Sequence, residues 1–151
     1  AMFKTLLQNR WSHCGAPMTV AILSLLTAPT LFQPAQAAEP CSYQCGSNQI
    51  RFVPGQPITI EFINRTNGLI NLERVLDIDM QWLRPQTNFA IQTLVGADAE
   101  MSLVFWDDNN RAVTAVLHRP DSETLQVELL PSGHDGDYAV HVVNDGRVLV
   151  Y

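Results

Sequence analysis

Apolar side chains return at every second position along most of this chain. Ile50 and Phe52 flank Arg51; Ile58, Ile60 and Phe62 alternate with Thr59 and Glu61; Leu76, Ile78, Met80 and Trp82 alternate with Asp77, Asp79 and Gln81. The pattern continues through Met101, Leu103 and Phe105, then Val113, Ala115 and Leu117, then Leu125, Val127 and Leu129. Tyr138, Val140 and Val142 follow, and Val148 and Val150 close the series. A two-residue period puts one set of side chains on a buried face and the other on a wetter one. A helix would need a 3.6-residue stripe, on which Leu76 and Met80 would lie together while Ile78 and Trp82 would fall off.

Turn chemistry separates these runs. Pro54-Gly55, Asn67-Gly68, Asp107 to Asn110, Pro120-Asp121 and Pro131 to Asp137 each interrupt the alternation. Asn144-Asp145-Gly146-Arg147 is the best hairpin signal, because Asp-Gly suits the two positive-φ positions of a type I′ turn. Leu69 to Leu94 reads either as one bent strand and a loop or as two strands around a short helical turn, with Arg84 to Asn88 as a connection. Strands recurring about every 8 to 12 residues predict an all-β domain, an antiparallel Greek-key β-sandwich of about seven or eight strands.

The first 37 residues differ in kind. They carry Lys4, Arg10 and His13 and no Asp or Glu, and Met18 to Phe32 run apolar. Ala35-Gln36-Ala37 places small residues where a signal peptidase reads, so residues 1–37 are expected to be a signal peptide cut after Ala37. Pro29 and Pro34 and the short apolar run disfavour a membrane anchor. The expected organisation is therefore 1–37 signal peptide, 38–48 N-terminal arm and 49–151 β-sandwich, with a periplasmic or extracellular destination and no stable membrane span after cleavage. Residues 38–151 hold 7 Arg and no Lys against 15 Asp and Glu, a net charge of −8. That balance disfavours nucleic acid as a partner, since phosphate binding needs clustered cations.

Cys41 and Cys45 open the mature chain. In an oxidising compartment two cysteines four apart form a disulfide, closing a loop so small that the chain-entropy gain is only about 2 kcal/mol. The alternative is a metal. Cys41-Ser42-Tyr43-Gln44-Cys45-Gly46-Ser47-Asn48 resembles the ligand loop of binuclear-copper (CuA) domains, and that resemblance implies copper bridged by the two thiolates. Gln49 stands where that family has a His, and Val53 where a Met is expected. Copper at this pair would need His118, His134 or His141 to arrive from elsewhere in the fold.

Other residues suggest contact rather than catalysis. The three mature histidines are scattered and read as surface residues. Asp107-Asp108 and Asp135-Gly136-Asp137 sit in turns, where Asp is common for conformational reasons and where Ca²⁺ can also bind. No Gly-x-Ser-x-Gly turn or other nucleophile signature occurs, so no catalytic residue is assigned and the chain is read as non-enzymatic. Trp82, Trp106 and Tyr138 are candidates for an aromatic platform for sugars, and Trp106, Asp107 and Asp108 for a partner contact. Asn64-Arg65-Thr66 matches the N-glycosylation pattern. Pro54-Gly55-Gln56-Pro57-Ile58-Thr59-Ile60-Glu61-Phe62-Ile63-Asn64-Arg65-Thr66 resembles the opening strands of cupredoxin-like and immunoglobulin-like periplasmic domains. The Val104 to Asp107 and Asn144 to Val148 stretches are similar to small exported proteins of photosynthetic bacteria. The expected function is an exported, non-catalytic binding or accessory module for a protein or glycan partner, without a cofactor. The alternative is a periplasmic redox or copper-handling protein using Cys41 and Cys45.

Overall fold

The computed structural model describes residues 39–75, 79–97 and 101–151, which belong to the compact unit Ala37–Tyr151. The signal peptide expected over 1–37 lies outside them. Nine strands follow in order: β1 Pro57–Asn64, β2 Ile70–Arg74, β3 Met80–Leu83, β4 Asn88–Leu94, β5 Met101–Asp107, β6 Val113–His118, β7 Thr124–Pro131, β8 Ala139–Val142 and β9 Val148–Val150. They form a four-stranded sheet ordered β4-β1-β7-β6 and a five-stranded sheet ordered β3-β2-β5-β8-β9. No helix occurs among the described residues, and none there is long and apolar enough to cross a membrane.

The two-residue period explains the core. β5 buries Met101, Leu103, Phe105 and Asp107 on one face, and β7 buries Leu125, Val127 and Leu129. Phe62 of β1 meets Phe105 of β5 across the two sheets, with ring centroids 6.5 Å apart and planes tilted by 54°. The expected all-β class therefore holds, with more strands than anticipated. One pair departs from the antiparallel expectation: β1 runs parallel to β7, from Thr59 opposite Thr124 to Asn64 opposite Leu129. A parallel pair cannot be joined by a hairpin. Here the chain passes into the five-stranded sheet and back before β7 arrives beside β1.

Four local expectations change. Ile50 and Phe52 are buried, yet they belong to an irregular segment with only an isolated bridge from Arg51 to Arg147. The Leu69–Leu94 stretch contains three strands and, among its described residues, no helical turn. Met80 and Trp82 point outward rather than into the core, and Leu83 points in. Register is the reason: β3 pairs with β2 so that Leu83 lies opposite the buried Ile70, which leaves Trp82 opposite Asn71 on the other face. Leu76 and Ile78 lie outside the described residues. The hairpin at 143–147 forms, but only Gly146 has a positive φ, 86°. Gly146 donates to the Val143 carbonyl and Val143 to the Arg147 carbonyl. This is the three-residue loop with a glycine bulge rather than a type I′ turn.

The arm seals one side of the sandwich. Cys45 donates to the Leu117 carbonyl at the β6 edge, and Arg119 donates to that of Ser42. Farther on, Asn48 donates to the Val148 carbonyl and Phe52 to that of Gly146, while Val148 donates to Ile50, all at the β9 edge. The Cys41–Cys45 disulfide, with Cα atoms 5.7 Å apart, closes the turn that begins this crossing. Replacing both cysteines by serine is expected to lower stability by about 2 kcal/mol, with an unchanged urea m-value. Urea denaturation monitored by tryptophan fluorescence measures this directly.

Candidate functional site

Strand register builds a continuous outer face on the five-stranded sheet. Trp82 of β3, Asn71 of β2 and Trp106 of β5 lie side by side in one cross-strand row. The next row runs Met80, Glu73, Val104 and Ala139, and the following one Ser102, His141 and Leu149. Trp82 is 68% exposed, Met80 44%, and Val75, beside Ser102, is also open to solvent. Two interstrand spacings separate the Trp82 and Trp106 backbones, roughly 9.6 Å. Trp82, Met80 and Val75 are thus the exposed apolar side chains of this face, with Trp106 half-buried beside the buried Asn71.

The residues expected to form one partner contact divide. Trp106 is half-buried on the outer face, Asp108 is exposed beside it, and Asp107 points inward with 1% of its surface accessible. Asp108 accepts from the Asn71 amide at 3.5 Å. Asp107 is fully engaged. Its Oδ1 accepts from the Asn109 N–H at 2.8 Å and from Arg111 Nε at 3.0 Å, and its Oδ2 from Arg111 Nη2 at 2.7 Å. Asp107 thus shapes the turn that follows Trp106 and offers no free carboxylate oxygen to a partner. Tyr138 is exposed, and its carbonyl accepts from the N–H of Phe105, the residue before Trp106 on β5.

The Arg111 side-chain hydrogen bonds hold the Asp107 carboxyl below the usual carboxylate range, against the opposing effect of burial and aided by the Asn109 and Arg111 backbone N–H groups. A carboxyl whose folded pKa is depressed stabilises the fold above its unfolded value, and that contribution disappears as pH falls through the folded one. Asp107→Asn is therefore expected to cost about 2 kcal/mol at neutral pH. It should also flatten the acid limb of the stability profile, read from urea midpoints between about pH 6 and about pH 2.

Beneath this end of the face lies a buried polar knot. Asn64, fully inaccessible, donates through Nδ2 to the Gly68 carbonyl at 2.8 Å and the Leu83 carbonyl at 2.9 Å. Its Oδ1 accepts from Thr66 N–H at 2.9 Å and Thr66 Oγ1 at 2.7 Å. The glycosylation pattern is consequently inoperative in the fold: the amide nitrogen that would carry a sugar already makes two hydrogen bonds in the interior. Gly68 completes the knot, since a Cβ there would stand 1.8 Å from Arg111 Nη2 and 2.0 Å from Asp107 Oδ2.

The cysteine pair has an imidazole neighbour. His118 is buried rather than on the surface, its Nδ1 accepts from Gln44 N–H at 3.2 Å, and its ring lies 4.7 Å from that of Tyr43. Its Nε2 faces Glu128 Oε2 at 3.5 Å. Both ring nitrogens are thus directed at the arm and at β7. Among the described residues, no three His, Cys, Asp or Glu side chains converge closely enough to hold a metal ion. His134 is exposed in its loop. His141 lies directly across from Ser102, whose Oγ hydrogen-bonds its Nδ1. That is the contact of a nucleophile with its base, but both residues lie within paired strands whose backbone N–H groups serve the ladder rather than an oxyanion.

No family model, curated protein or solved structure matches this chain.

Proposed function

We propose that the protein is an exported, non-catalytic binding or accessory module. In this reading residues 1–37 are a signal peptide and the sandwich is a Greek-key domain of the cupredoxin-like or immunoglobulin-like kind, working in the periplasm or outside the cell. The Cys41–Cys45 disulfide supports an oxidising destination. Repeated passage between the sheets, which brings β7 parallel to β1, supports Greek-key connectivity. The observation that carries the functional reading is the outer row Trp82–Asn71–Trp106 with Met80 beside it. The face would meet a protein or glycan partner through the indoles, with Asp108 at its border. The net charge of −8 over residues 38–151 favours a neutral or basic partner surface over an anionic one.

The copper reading has narrower support, namely His118 close behind the cysteine turn. It would require the disulfide to open and His118 to give up its bond from Gln44. A photo-crosslinker placed at position 80, together with co-sedimentation on insoluble polysaccharides, tests the module. One captured species is expected, protein or glycan, lost in Trp82→Ala at unchanged melting temperature. Capture indifferent to Trp82, or copper retained after reduction of Cys41 and Cys45, would contradict the reading.

A further inference from the structure

The two sides of the sandwich are finished differently. On one side the arm supplies backbone partners to β6 and β9. On the other, β4 and β3 stand at the ends of their sheets, with no strand beside them among the described residues. Natural edges are commonly protected by charge, proline or a bulge. β4 reads Asn88-Phe89-Ala90-Ile91-Gln92-Thr93-Leu94 and β3 reads Met80-Gln81-Trp82-Leu83, without a charged residue or a proline in either.

Between these edges the core is open. A cleft of about 190 Å³ lies between the inward faces, floored by Leu72, Phe89 and Ile91 and rimmed by Arg74, Asp79 and Gln81. Phe89 and Ile91 are only half-buried although they lie opposite the fully buried Phe62 and Ile60 in register.

We propose that this side is a strand-addition site for an extended segment of a partner protein, distinct from the outer tryptophan face. An edge strand offers a row of backbone N–H and C=O groups that only another extended backbone can match, and the cleft accepts alternate side chains from it. The occupant is therefore a segment with an aliphatic residue at every second position. It is neutral within and basic at its ends, because both edges are uncharged while residues 38–151 carry 7 Arg against 15 acidic residues. A second copy fits less well. Its own β4, seven residues long, would meet this one along a ridge about 24 Å long and only about one strand spacing wide, far less area than the roughly 800 Å² per partner of a standard interface. Its inward side chains would also stay in its own cleft.

The test uses a nine-residue peptide of alternating valine and threonine with a lysine at each end, added to the nitrogen-15-labelled protein. Amide shifts and slowed hydrogen exchange are expected along Asn88–Leu94. Binding should weaken at least about tenfold for a backbone N-methylated peptide and for Ala90→Lys, an exposed edge position. Three results would overturn the proposal: equal binding of the N-methylated peptide, shifts centred on Trp82, or no shift up to about 1 mM peptide. So would a dimer in sedimentation that Ala90→Lys dissolves, which would give the edge to a second copy.

Discussion

Asn64→Asp is expected to destabilise the domain by roughly 4 kcal/mol at neutral pH, a large part of the total for a domain of this size. The carboxamide satisfies four groups at once: the carbonyls of Gly68 and Leu83, and the N–H and O–H of Thr66. A carboxylate keeps the two acceptor roles and loses both donor roles, so a buried negative charge then faces two carbonyl oxygens. The damage is not local to one strand. Asn64 ends β1 where the chain leaves the four-stranded sheet, Leu83 ends β3, and the Asn64 backbone also bonds Gln86 and Thr87 on the return to β4. Urea denaturation of Asn64→Asp and Asn64→Ala measures the loss. The aspartate penalty should shrink as pH falls, because a protonated carboxyl regains one donor and its pKa in the fold is raised above the unfolded value. A penalty independent of pH would mean the side chain is not enclosed.

Gly146→Val should be comparably severe, above about 3 kcal/mol, because steric overlap adds to backbone strain. Gly146 has φ of 86°, and a Cβ there would stand 1.9 Å from the Phe52 carbonyl oxygen. Relief requires the arm to move off the β8–β9 hairpin, breaking the Phe52 N–H to Gly146 carbonyl bond of 2.8 Å and unseating Phe52 and Ile50. Gly133 serves as the control. No atom lies within 4 Å of its would-be Cβ and its φ is ordinary, so Gly133→Val should stay within about 0.5 kcal/mol of the parent. Denaturation midpoints, with hydrogen exchange at the Phe52 amide, separate detachment of the arm from global loss.

The alternation of β1, β5, β7 and β8 was legible because each strand spans enough residues for a two-residue period to stand out. β2 was not: Leu69 precedes Ile70 and breaks the period, and Glu73-Arg74 looks like a turn. For β3 the strand was visible but its phase was not, since Met80-Gln81-Trp82-Leu83 offers apolar side chains to both faces. Only pairing with Ile70 decides that Leu83 is buried. The same ambiguity hid the tryptophan row, which depends on three strands from separate parts of the chain. The surface positions of Trp106 and Asp108 at a strand end were readable. Asp107 was not separable from them, because its burial follows from Arg111 folding back four residues later. Asn64 was visible only as a modification pattern, because the carbonyls it serves include one 19 residues away. The sequence does hold one cue: an Asn closing a hydrophobic strand before a turn of Arg65 to Gly68, where Asn and Thr side chains bind nearby backbone.

The open aromatic face of the five-stranded sheet is the centre of this account, and Trp82→Ala tests it most directly. Partner retention should be compared with the parent at equal folded fraction, alongside the melting temperature. Retention should fall by about tenfold or more, with a melting temperature within about 2 °C, since an indole 68% exposed contributes little to the core. Undiminished retention, or a collapse of the melting temperature, would show that this indole serves the fold and not a partner.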